Sequence, residues 1–366
     1  MAKILKYATV AMAMAVTVAI ILLMWACALS SHIPPHHSGW IGIAGMAFPI
    51  FAVANAVALV VWLVAKPKYA IVPLLGFLMC ISDVRAYCPV NIPRKTPADA
   101  IKVMSYNVKN FGWSADKSRE GTQQILSTII NSKADIVCLQ EGDYWSDDWD
   151  SVRNRLAAAY KYMDVCGEDS APSTMRCFSR FRIIKSEQIP FPDSFNSAVA
   201  YQLLLDGGDT VIVLNNHLQS DNLSESEIRS YSGIVGGDSS LSQRHSKTEL
   251  FSLFGKLASA SQARASQTDS IVKFIQTHAN TPMLVCGDFN DTPISYARRK
   301  IASQLTDAYV ETGFGPGFSF SNNHMFVRID QMMCSRHWKP YNAKVQSSAK
   351  GSDHYPITAF FRLKDK

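Results

Sequence analysis

The feature that most constrains this chain is a long N-terminal region with hardly any acidic residue and two uncharged stretches. No Asp or Glu occurs before Asp83, and residues 7–29 and 40–65 contain no charged side chain. An α-helix rises about 1.5 Å per residue, so each stretch is long enough to cross a hydrocarbon core of about 30 Å. A cleaved signal peptide is disfavoured, because the first stretch is unusually long for one and a second follows directly. We therefore predict transmembrane helices at about 7–29 and 40–65, within a membrane anchor that covers residues 1–88.

A third apolar stretch, residues 69–82, is short and contains Pro73, so it is either a tilted span or a re-entrant or interfacial helix. Basic residues precede the first stretch and follow the second, while the connector between them has neither Lys nor Arg. The positive-inside rule then places the N-terminus and the loop after residue 65 in the cytoplasm. If the third stretch spans, the rest of the chain lies outside the cytoplasm, which we favour, although three basic residues beyond it oppose this. If it does not span, the rest is cytoplasmic.

The remaining chain is predicted to be a proline-punctuated linker at 89–100 and a domain at 101–366. The formal charge of the whole chain is +6, of which residues 1–100 carry +5 and the domain only +1. A nearly neutral domain argues against strong sequence-independent binding of nucleic acid, because such binding depends on neutralising phosphates.

Cysteine usage does not decide the compartment. Cys138 and Cys286 lie in apolar runs and are predicted to be buried small hydrophobic residues. Cys166 and Cys177 flank a polar, turn-rich stretch. A disulfide between them would suit a domain outside the cytoplasm, and two free thiols are an equal alternative.

Within the domain, short apolar runs repeatedly end in a polar cluster. Two intervening segments, 123–130 and 244–278, have apolar residues at broadly helical spacing. Strands that alternate with occasional helices predict a layered α/β or α+β domain. Polar residues at the strand ends would collect at one edge of the sheets, where ligand sites of such folds often form.

Each of these polar residues alone has an ordinary explanation, such as a turn cap, a rim charge or a satisfied core histidine. Together they form an ordered set, which is Asn107, Glu141, His217, Asp288, Asn290, Asp330, Asp353 and His354. Carboxylate and amide oxygens are the ligands that Mg²⁺ prefers, and a bound cation neutralises charge on phosphoryl oxygens. A carboxylate can orient water, and a histidine can protonate a leaving group. The set therefore predicts hydrolysis of phosphate esters.

Six segments of the domain resemble the endonuclease/exonuclease/phosphatase superfamily. They are MSYNVKNFG (104–112), LQE (139–141), NNHL (215–218), GDFNDTP (287–293), RID (328–330) and SDHYP (352–356). The resemblance covers essentially all of residues 101–366. It implies a four-layered α/β sandwich with two packed mixed β-sheets, preceded here by the N-terminal transmembrane helices. It also implies Mg²⁺ as the cofactor, with Mn²⁺ or Ca²⁺ possible.

The resemblance also implies a role for each residue of the set. The implied metal ligands are Glu141 as the principal carboxylate, Asn107 beside it and Asp353 near the metal. The implied catalytic residues are Asp288, which activates or orients water; Asn290, which holds the phosphate; His354, which contacts the scissile phosphate; Asp330, which orients His354; and His217, a second histidine on the phosphate side.

Three positions qualify the resemblance. Lys109 stands where abasic-site endonucleases carry an acidic residue, which disfavours abasic-site repair. The segment GFSF (317–320) stands where many members have a Thr-Tyr pair, which leaves the role of that loop open. Arg264 is within reach of the site, but we expect it on a solvated helix face.

We expect a membrane-anchored, metal-dependent phosphoesterase that hydrolyses phosphodiester or phosphomonoester bonds, with nuclease-like activity favoured. One alternative is a phospholipid phosphodiesterase of the sphingomyelinase type, which a membrane tether would suit. Another is a catalytically silent binding module on the same fold, which is disfavoured because no metal carboxylate or histidine is missing. The expected partners are the membrane and a phosphate-ester substrate, either nucleic acid or phospholipid, and nothing in the sequence indicates a protein partner.

Overall fold

The computed structural model describes residues 2–36, 38–112, 119–143, 149–166, 174–191, 194, 196–236, 247–322 and 325–364. The N-terminal region is helical, with α1 (Ala2–Ser30), α2 (Trp40–Met46), α3 (Phe48–Ala65), α4 (Ile71–Met79) and α5 (Ile81–Tyr87). Two helical stretches, Leu5–Ser30 and Trp40–Ala65, are long and apolar enough to cross a membrane. The second is divided at Ala47, where the predicted single helix breaks into α2 and α3.

The third apolar stretch folds back along the first two. It comprises α4 and α5, which are bent by 72° at their junction and extend the predicted segment to Tyr87. The indole nitrogen of Trp25 in α1 donates to the carbonyl oxygen of Gly76 in α4 at 2.9 Å. The amide of Asn55 in α3 donates to the carbonyl oxygen of Pro73 at 3.0 Å. These bonds satisfy polar groups inside an apolar bundle and fix α4 against both longer helices.

The bundle has two distinct ends. At one end, Trp62 of α3 donates to Thr17 of α1 at 2.9 Å, and α3 then continues to the turn that carries Lys66 and Lys68. At the other end, Met24 of α1 and Phe48 of α3 are buried in a cluster shared with residues of the downstream domain. The basic turn and the domain therefore lie at opposite ends of the bundle.

The domain contains fourteen strands in its described residues. The strands are β1 (Ile101–Asn107), β2 (Ile136–Gln140), β3 (Tyr162–Cys166), β4 (Met175–Ser179), β5 (Arg182–Pro190), β6 (Ser197–Leu204), β7 (Thr210–His217), β8 (Met283–Asp288), β9 (Thr306–Asp307), β10 (Phe320–Asn322), β11 (Met325–Val327), β12 (Asp330–Cys334), β13 (Trp338–Val345) and β14 (Ile357–Leu363). Among its described residues, the domain helices of five or more residues are α6 (Arg119–Ser132), α7 (Trp149–Ala159), α8 (Glu225–Gly236), α9 (Lys247–Thr277), α10 (Tyr296–Ala302) and α11 (Ala308–Thr312).

Twelve of these strands form two mixed six-stranded sheets. Their strand orders are β13-β14-β1-β2-β4-β3 and β5-β6-β7-β8-β12-β9. The inward faces of both sheets share one apolar core. A second core lies between the first sheet and helices α6 and α7, and a third lies between the second sheet and helices α9 and α10. The predicted four-layered α/β sandwich is confirmed, and so is the burial of Cys138 and Cys286.

The segment between the anchor and the domain is extended and is held against the domain. The amide of Asn91 donates to the carbonyl oxygens of Val310 and Gly313 at 2.9 and 2.8 Å. The carbonyl oxygen of Pro89 accepts from the backbone of Gly315 at 2.8 Å. The predicted linker 89–100 therefore restrains the N-terminal helices relative to the domain. Of the cysteine pair in question, Cys177 is a free buried thiol, and the side chain of Cys166 lies outside the described residues.

Candidate active site

The ends of five strands meet at one edge of the two sheets. Strand β1 runs parallel to β2, so Asn107 ends beside Gln140, directly before Glu141. Strand β7 runs parallel to β8, so His217 pairs with Asp288. Strand β12 is antiparallel to β8 and therefore begins at this edge, where Asp330 pairs with Asp288.

The backbone at this edge has conformations that the sequence motifs require. Gly287 of the GDFND motif has φ of +137°, and a Cβ there would lie 1.9 Å from the carbonyl oxygen of Asn216. Only glycine permits that approach between β7 and β8. Glu141 and Asn290 also have positive φ, 49° and 50°, in the small left-handed region. These strained turns fit a functional site, where such conformations cluster.

The predicted residues contact one another through a continuous network. The amide nitrogen of Asn107 donates to Glu141 Oε1 at 2.9 Å and to Asp288 Oδ2 at 3.0 Å. His217 Nε2 lies 3.6 Å from Glu141 Oε1 and 3.8 Å from Asp288 Oδ2. On the other side of Asp288, His354 Nε2 lies 3.7 Å from Asp288 Oδ2. One buried carboxylate is thus surrounded by an amide and two imidazoles.

Asp288 and His354 have strongly perturbed pKa values with identifiable causes. Burial raises the pKa of Asp288 to about 6, even though His354 and His217 oppose the shift. Burial alone would lower the pKa of His354, but the carboxylates of Asp330 and Asp288 outweigh it and raise the pKa to about 10. His354 Nδ1 lies 3.0 Å from Asp330 Oδ2, which fixes the ring and stabilises its protonated form. At neutral pH, His354 is therefore a cationic donor whose Nε2 faces Asp288.

Comparison with known proteins agrees with this geometry. A model of the Endonuclease/Exonuclease/phosphatase family matches residues 104–354. The chain belongs to the endonuclease/exonuclease/phosphatase family. Members of this family are hydrolases that act on phosphoester bonds, so the predicted enzyme class is confirmed. A second model, described as a domain of unknown function (DUF8431), matches residues 10–87. No match was found among curated protein sequences.

Solved structures of this family share the fold of the domain. The human nocturnin catalytic domain, with a bound sulfate anion, is 20% identical with a TM-score of 0.53, and the match covers 75% of this chain and 96% of nocturnin. A humanized D. rerio TDP2 is 16% identical with a TM-score of 0.53, covering 73% and 100% of the two chains. A family protein from Bacteroides thetaiotaomicron is 15% identical with a TM-score of 0.52, covering 74% and 100%.

Family enzymes generally use divalent metal ions, and the donors here fit one. Glu141, whose side chain is 33% exposed, lines the same cavity as the buried Asp288, and carboxylate oxygens are ligands that Mg²⁺ prefers. Among the described residues, the ligand atoms of Asp288, Asp330 and His354 also lie within 4.8 Å of one another. A cation is disfavoured there, because an imidazolium bonded to Asp330 cannot act as a ligand.

Two predicted metal ligands have other partners in this structure. Asn107 presents its amide nitrogen to the carboxylates, while its oxygen accepts from the backbone of Lys109 at 3.0 Å. Asp353 Oδ2 lies 2.8 Å from Lys109 Nζ, and His354 and Lys109 overcome burial and lower its pKa. Their roles as ligands remain predictions. Asn290 lies at the site as predicted, and its amide donates to the carbonyl oxygen of Leu218 at 2.9 Å.

The sequence prediction for Arg264 was wrong. Its side chain is 0% exposed and lies 3.0 Å from Asp291 and 2.7 Å from Asp221. These carboxylates belong to the loops after β8 and β7, so Arg264 joins α9 to two loops of the site. Burial of a cation such as Arg264 is favourable only with such partners. The many polar residues of α9 gave no indication in the sequence that this side of the helix would be buried.

The GFSF segment has a positioning role that the sequence left open. The hydroxyl of Ser319, which is fully buried, accepts from the backbone nitrogens of Ile329 and Asp330, both at 3.0 Å. The ring of Phe320 packs edge-on against His354, with centroids 5.0 Å apart. The segment therefore supports the Asp330–His354 pair. The sequence does not indicate this, because the hydrogen bonds from the backbone to Ser319 join residues ten or more positions apart.

A cavity of about 530 Å³ opens over the site. Its polar lining includes Lys109, Glu141, Asp288, Asn290, Asp353 and His354. Its apolar lining includes Met46, Pro49, Tyr87, Ile228, Leu257, Met325 and Phe326. The first three apolar residues belong to the N-terminal helices, and sequence reasoning missed them because nothing in the sequence indicates where those helices dock.

Proposed function

We propose that this protein is a membrane-anchored, metal-dependent phosphoesterase in which His354 and Asp288 both act on the reacting phosphate ester. The observation that carries the proposal is the linkage of Asp330, His354, Asp288, Asn107 and Glu141 within hydrogen-bond or ion-pair distance, with His354, Asp288 and Glu141 lining one cavity. The shifted pKa values of Asp288 and His354 suit acid–base work on a phosphoryl centre.

Glu141 is the residue best suited to hold a divalent cation, with Asn107 and Asp353 as the predicted neighbours. A bound Mg²⁺ would neutralise charge on the phosphoryl oxygens. The raised pKa of Asp288 supports the same arrangement, since a buried carboxylate with too little positive charge around it is stabilised by a nearby cation.

The proton-handling groups have complementary states. Asp288, deprotonated above a pH of about 6, accepts a hydrogen bond from the attacking water and then its proton. His354, protonated because of Asp330, donates from Nε2 to a phosphoryl or leaving oxygen. Asn290 and His217 contribute further polar contacts to the phosphate. Water adds to phosphorus, one P–O ester bond breaks, and the alcohol leaves with a proton.

The helical bundle supports membrane anchoring with the domain outside the cytoplasm. The exposed faces of the candidate spans are apolar, with Leu22, Val53 and Val57 each more than half exposed, which suits contact with lipid. Lys66 and Lys68 lie at the end of the bundle opposite the domain, so the positive-inside rule favours a domain on the other side of the membrane.

Nuclease-like activity, favoured by the sequence, stays a prediction. A D. rerio TDP2 of the same fold was solved with a single-strand DNA product. Against it, Lys109 is the single Lys or Arg among the described residues that line the cavity, and it is paired with Asp353. A phosphate backbone would find little basic surface there.

The proposed activity is tested on the full chain in detergent micelles with bis(p-nitrophenyl) phosphate. We expect hydrolysis in Mg²⁺ that EDTA abolishes, and a loss of at least about a hundredfold in kcat for Glu141→Gln. Glu187→Gln is the matched control, because Glu187 lies on the exposed strand β5 and pairs with Lys185. Hydrolysis that survives EDTA or the loss of Glu141 would contradict the proposal.

A further inference from the structure

The cavity over the site has both charged and apolar residues in its lining. Glu141, Asp288 and His354 line it together with an apolar wall, by which we mean its aliphatic, Met and aromatic side chains, among them Met46, Pro49, Leu257, Met325 and Phe326. An apolar wall exposed to water is costly, at about 25 cal/mol per Å². A wall of this kind beside a phosphate site indicates a substrate with a hydrocarbon part next to its phosphate.

The apolar wall includes parts of the anchor that are fixed in place. Helix α2 lies on α9 through glycines: a Cβ on Gly39 would lie 1.9 Å from the carbonyl oxygen of Ala258, and one on Gly42 would lie 1.9 Å from Ser261 Oγ. Such close approach between helices is typical of packing through small residues. Met46, the last residue of α2, is thereby held at the cavity.

A second contact fixes the start of α3 beside the catalytic loop. Phe48, next to Pro49 of the wall, is 1% exposed and packs in one cluster with Ile294, which follows the GDFNDTP motif directly. The wall is therefore part of the same packed unit as Asp288 and Asn290. The helices α2 and α3, which supply Met46 and Pro49 of the wall, together form the candidate membrane span Trp40–Ala65.

We propose that the junction of α2 and α3 is part of the substrate site and receives the hydrocarbon chain of a membrane-resident phosphate ester. This inference rests on the proposed phosphoesterase activity. The phosphate lies at His354 and Asn290, and the chain lies along Met46 and Pro49 towards the bilayer. The scarcity of basic side chains in the lining also fits a single phosphate better than a polyanion.

The test uses two phosphodiesters that differ only in chain length, methyl p-nitrophenyl phosphate and hexadecyl p-nitrophenyl phosphate. Both release p-nitrophenolate, so the same P–O bond breaks in each. The full chain is reconstituted in phosphatidylcholine vesicles with Mg²⁺, and kcat/KM is measured for both. We expect the hexadecyl ester to be preferred at least about tenfold.

Partition into the vesicle also concentrates the hexadecyl ester near the enzyme. Variants of the apolar wall are therefore needed to distinguish this enrichment from binding of the chain at the wall. Met46→Gln is expected to lower the hexadecyl-to-methyl ratio about tenfold, because a polar amide would face the chain. Met325→Gln, on the hairpin across the cavity, should act likewise if Met46→Gln does not fold. Ile50→Gln is the matched control, since Ile50 is 43% exposed and is not among the described residues that line the cavity.

Each outcome is decisive. A ratio that falls in the two Met variants and not in Ile50→Gln supports the proposal. A wild-type protein that hydrolyses both esters equally, or prefers an oligodeoxynucleotide, overturns the chain-binding site while leaving the phosphoesterase intact. Equal ratios in all variants overturn it as well. If neither ester is hydrolysed and bis(p-nitrophenyl) phosphate is also inert, the underlying activity fails.

Discussion

Replacing Asp288 with Asn should make the metal-free protein more stable while removing its activity. The side chain is 1% exposed, and burial raises its pKa from 3.8 to about 6. A shift of about two pKa units corresponds to about 3 kcal/mol between the charged and neutral forms. Because the folded-state pKa is the higher one, this cost is absent below a pH of about 4, grows between about 4 and 6, and is complete above about 6.

The stabilisation expected from Asp288→Asn is reduced because the amide cannot accept all the hydrogen bonds of the carboxylate. Asp288 Oδ1 accepts from the backbone of Asn290 at 2.8 Å, and Oδ2 accepts from Asn107 at 3.0 Å. An Asn has one acceptor oxygen and loses one of these bonds, which costs about 1 kcal/mol. The net stabilisation of Asp288→Asn above pH 7 is therefore about 2 kcal/mol, or a rise in Tm of about 4–8 °C for a domain of this size.

The assay is thermal unfolding of the full chain in detergent with EDTA, from pH 4.5 to 8, followed by tryptophan fluorescence. The variant should exceed the wild type at pH 8, and the difference should shrink as the pH falls. Added Mg²⁺ should raise the Tm of the wild type more than that of the variant, since a cation offsets the buried charge. A variant that is less stable at pH 8, or a difference that does not change with pH, would refute the reasoning.

Three further perturbations test other parts of the molecule. Asp330→Asn removes the carboxylate at Nδ1 of His354, so NMR titration should show the pKa of this histidine falling from about 10 towards its ordinary value; no change would mean that Asp330 does not hold the proton. Gly287→Ala should lower the free energy of unfolding by more than about 2 kcal/mol in denaturant titrations, because its φ is positive and a backbone oxygen would meet the Cβ at 1.9 Å. For the topology, a membrane-impermeant maleimide should label Ser186→Cys in intact cells and Lys68→Cys only after lysis, in a background without Cys88, which is exposed, and without Cys166. The reverse pattern would place the domain in the cytoplasm.

The strand-end residues could be predicted because local sequence carries their position. Each follows an abrupt end of an apolar run, as Asn107 does after β1 and Asp288 does in β8. Two parallel pairs, β1 with β2 and β7 with β8, then bring these ends to one edge. The order of polar strand ends along the chain was therefore enough to predict a layered α/β domain with these residues at one edge, whereas the four-layered sandwich and the role of each residue came from the family resemblance.

What could not be predicted depends on contacts between segments far apart in the chain. The burial of Arg264 requires Asp221 and Asp291, which are contributed by two separate loops. The amide orientation of Asn107 follows from a backbone donor two residues away. The packing of α2 on α9 depends on two glycines, Gly39 and Gly42. In the sequence, these glycines would suit packing against any helix of a membrane bundle equally well, so they do not identify α9 as the partner. No periodicity or motif specifies such partners.

Attachment of the N-terminal helical bundle to the domain would restrict which phosphates the proposed membrane-anchored enzyme can reach. A flexible tether would let the domain sample substrates at any height above the bilayer. Here the linker is held against the domain through Asn91 and Pro89. Arg328, which lies two residues before Asp330, donates to the carbonyl oxygen of Ala86 near the end of α5. Asp330, which is bonded to His354, is thus only two residues from Arg328, which is bonded to the N-terminal helices. Displacement of the bundle from the domain would disturb both the apolar wall and the Asp330–His354 pair, so in the proposed enzyme Arg328 would couple anchoring to catalysis.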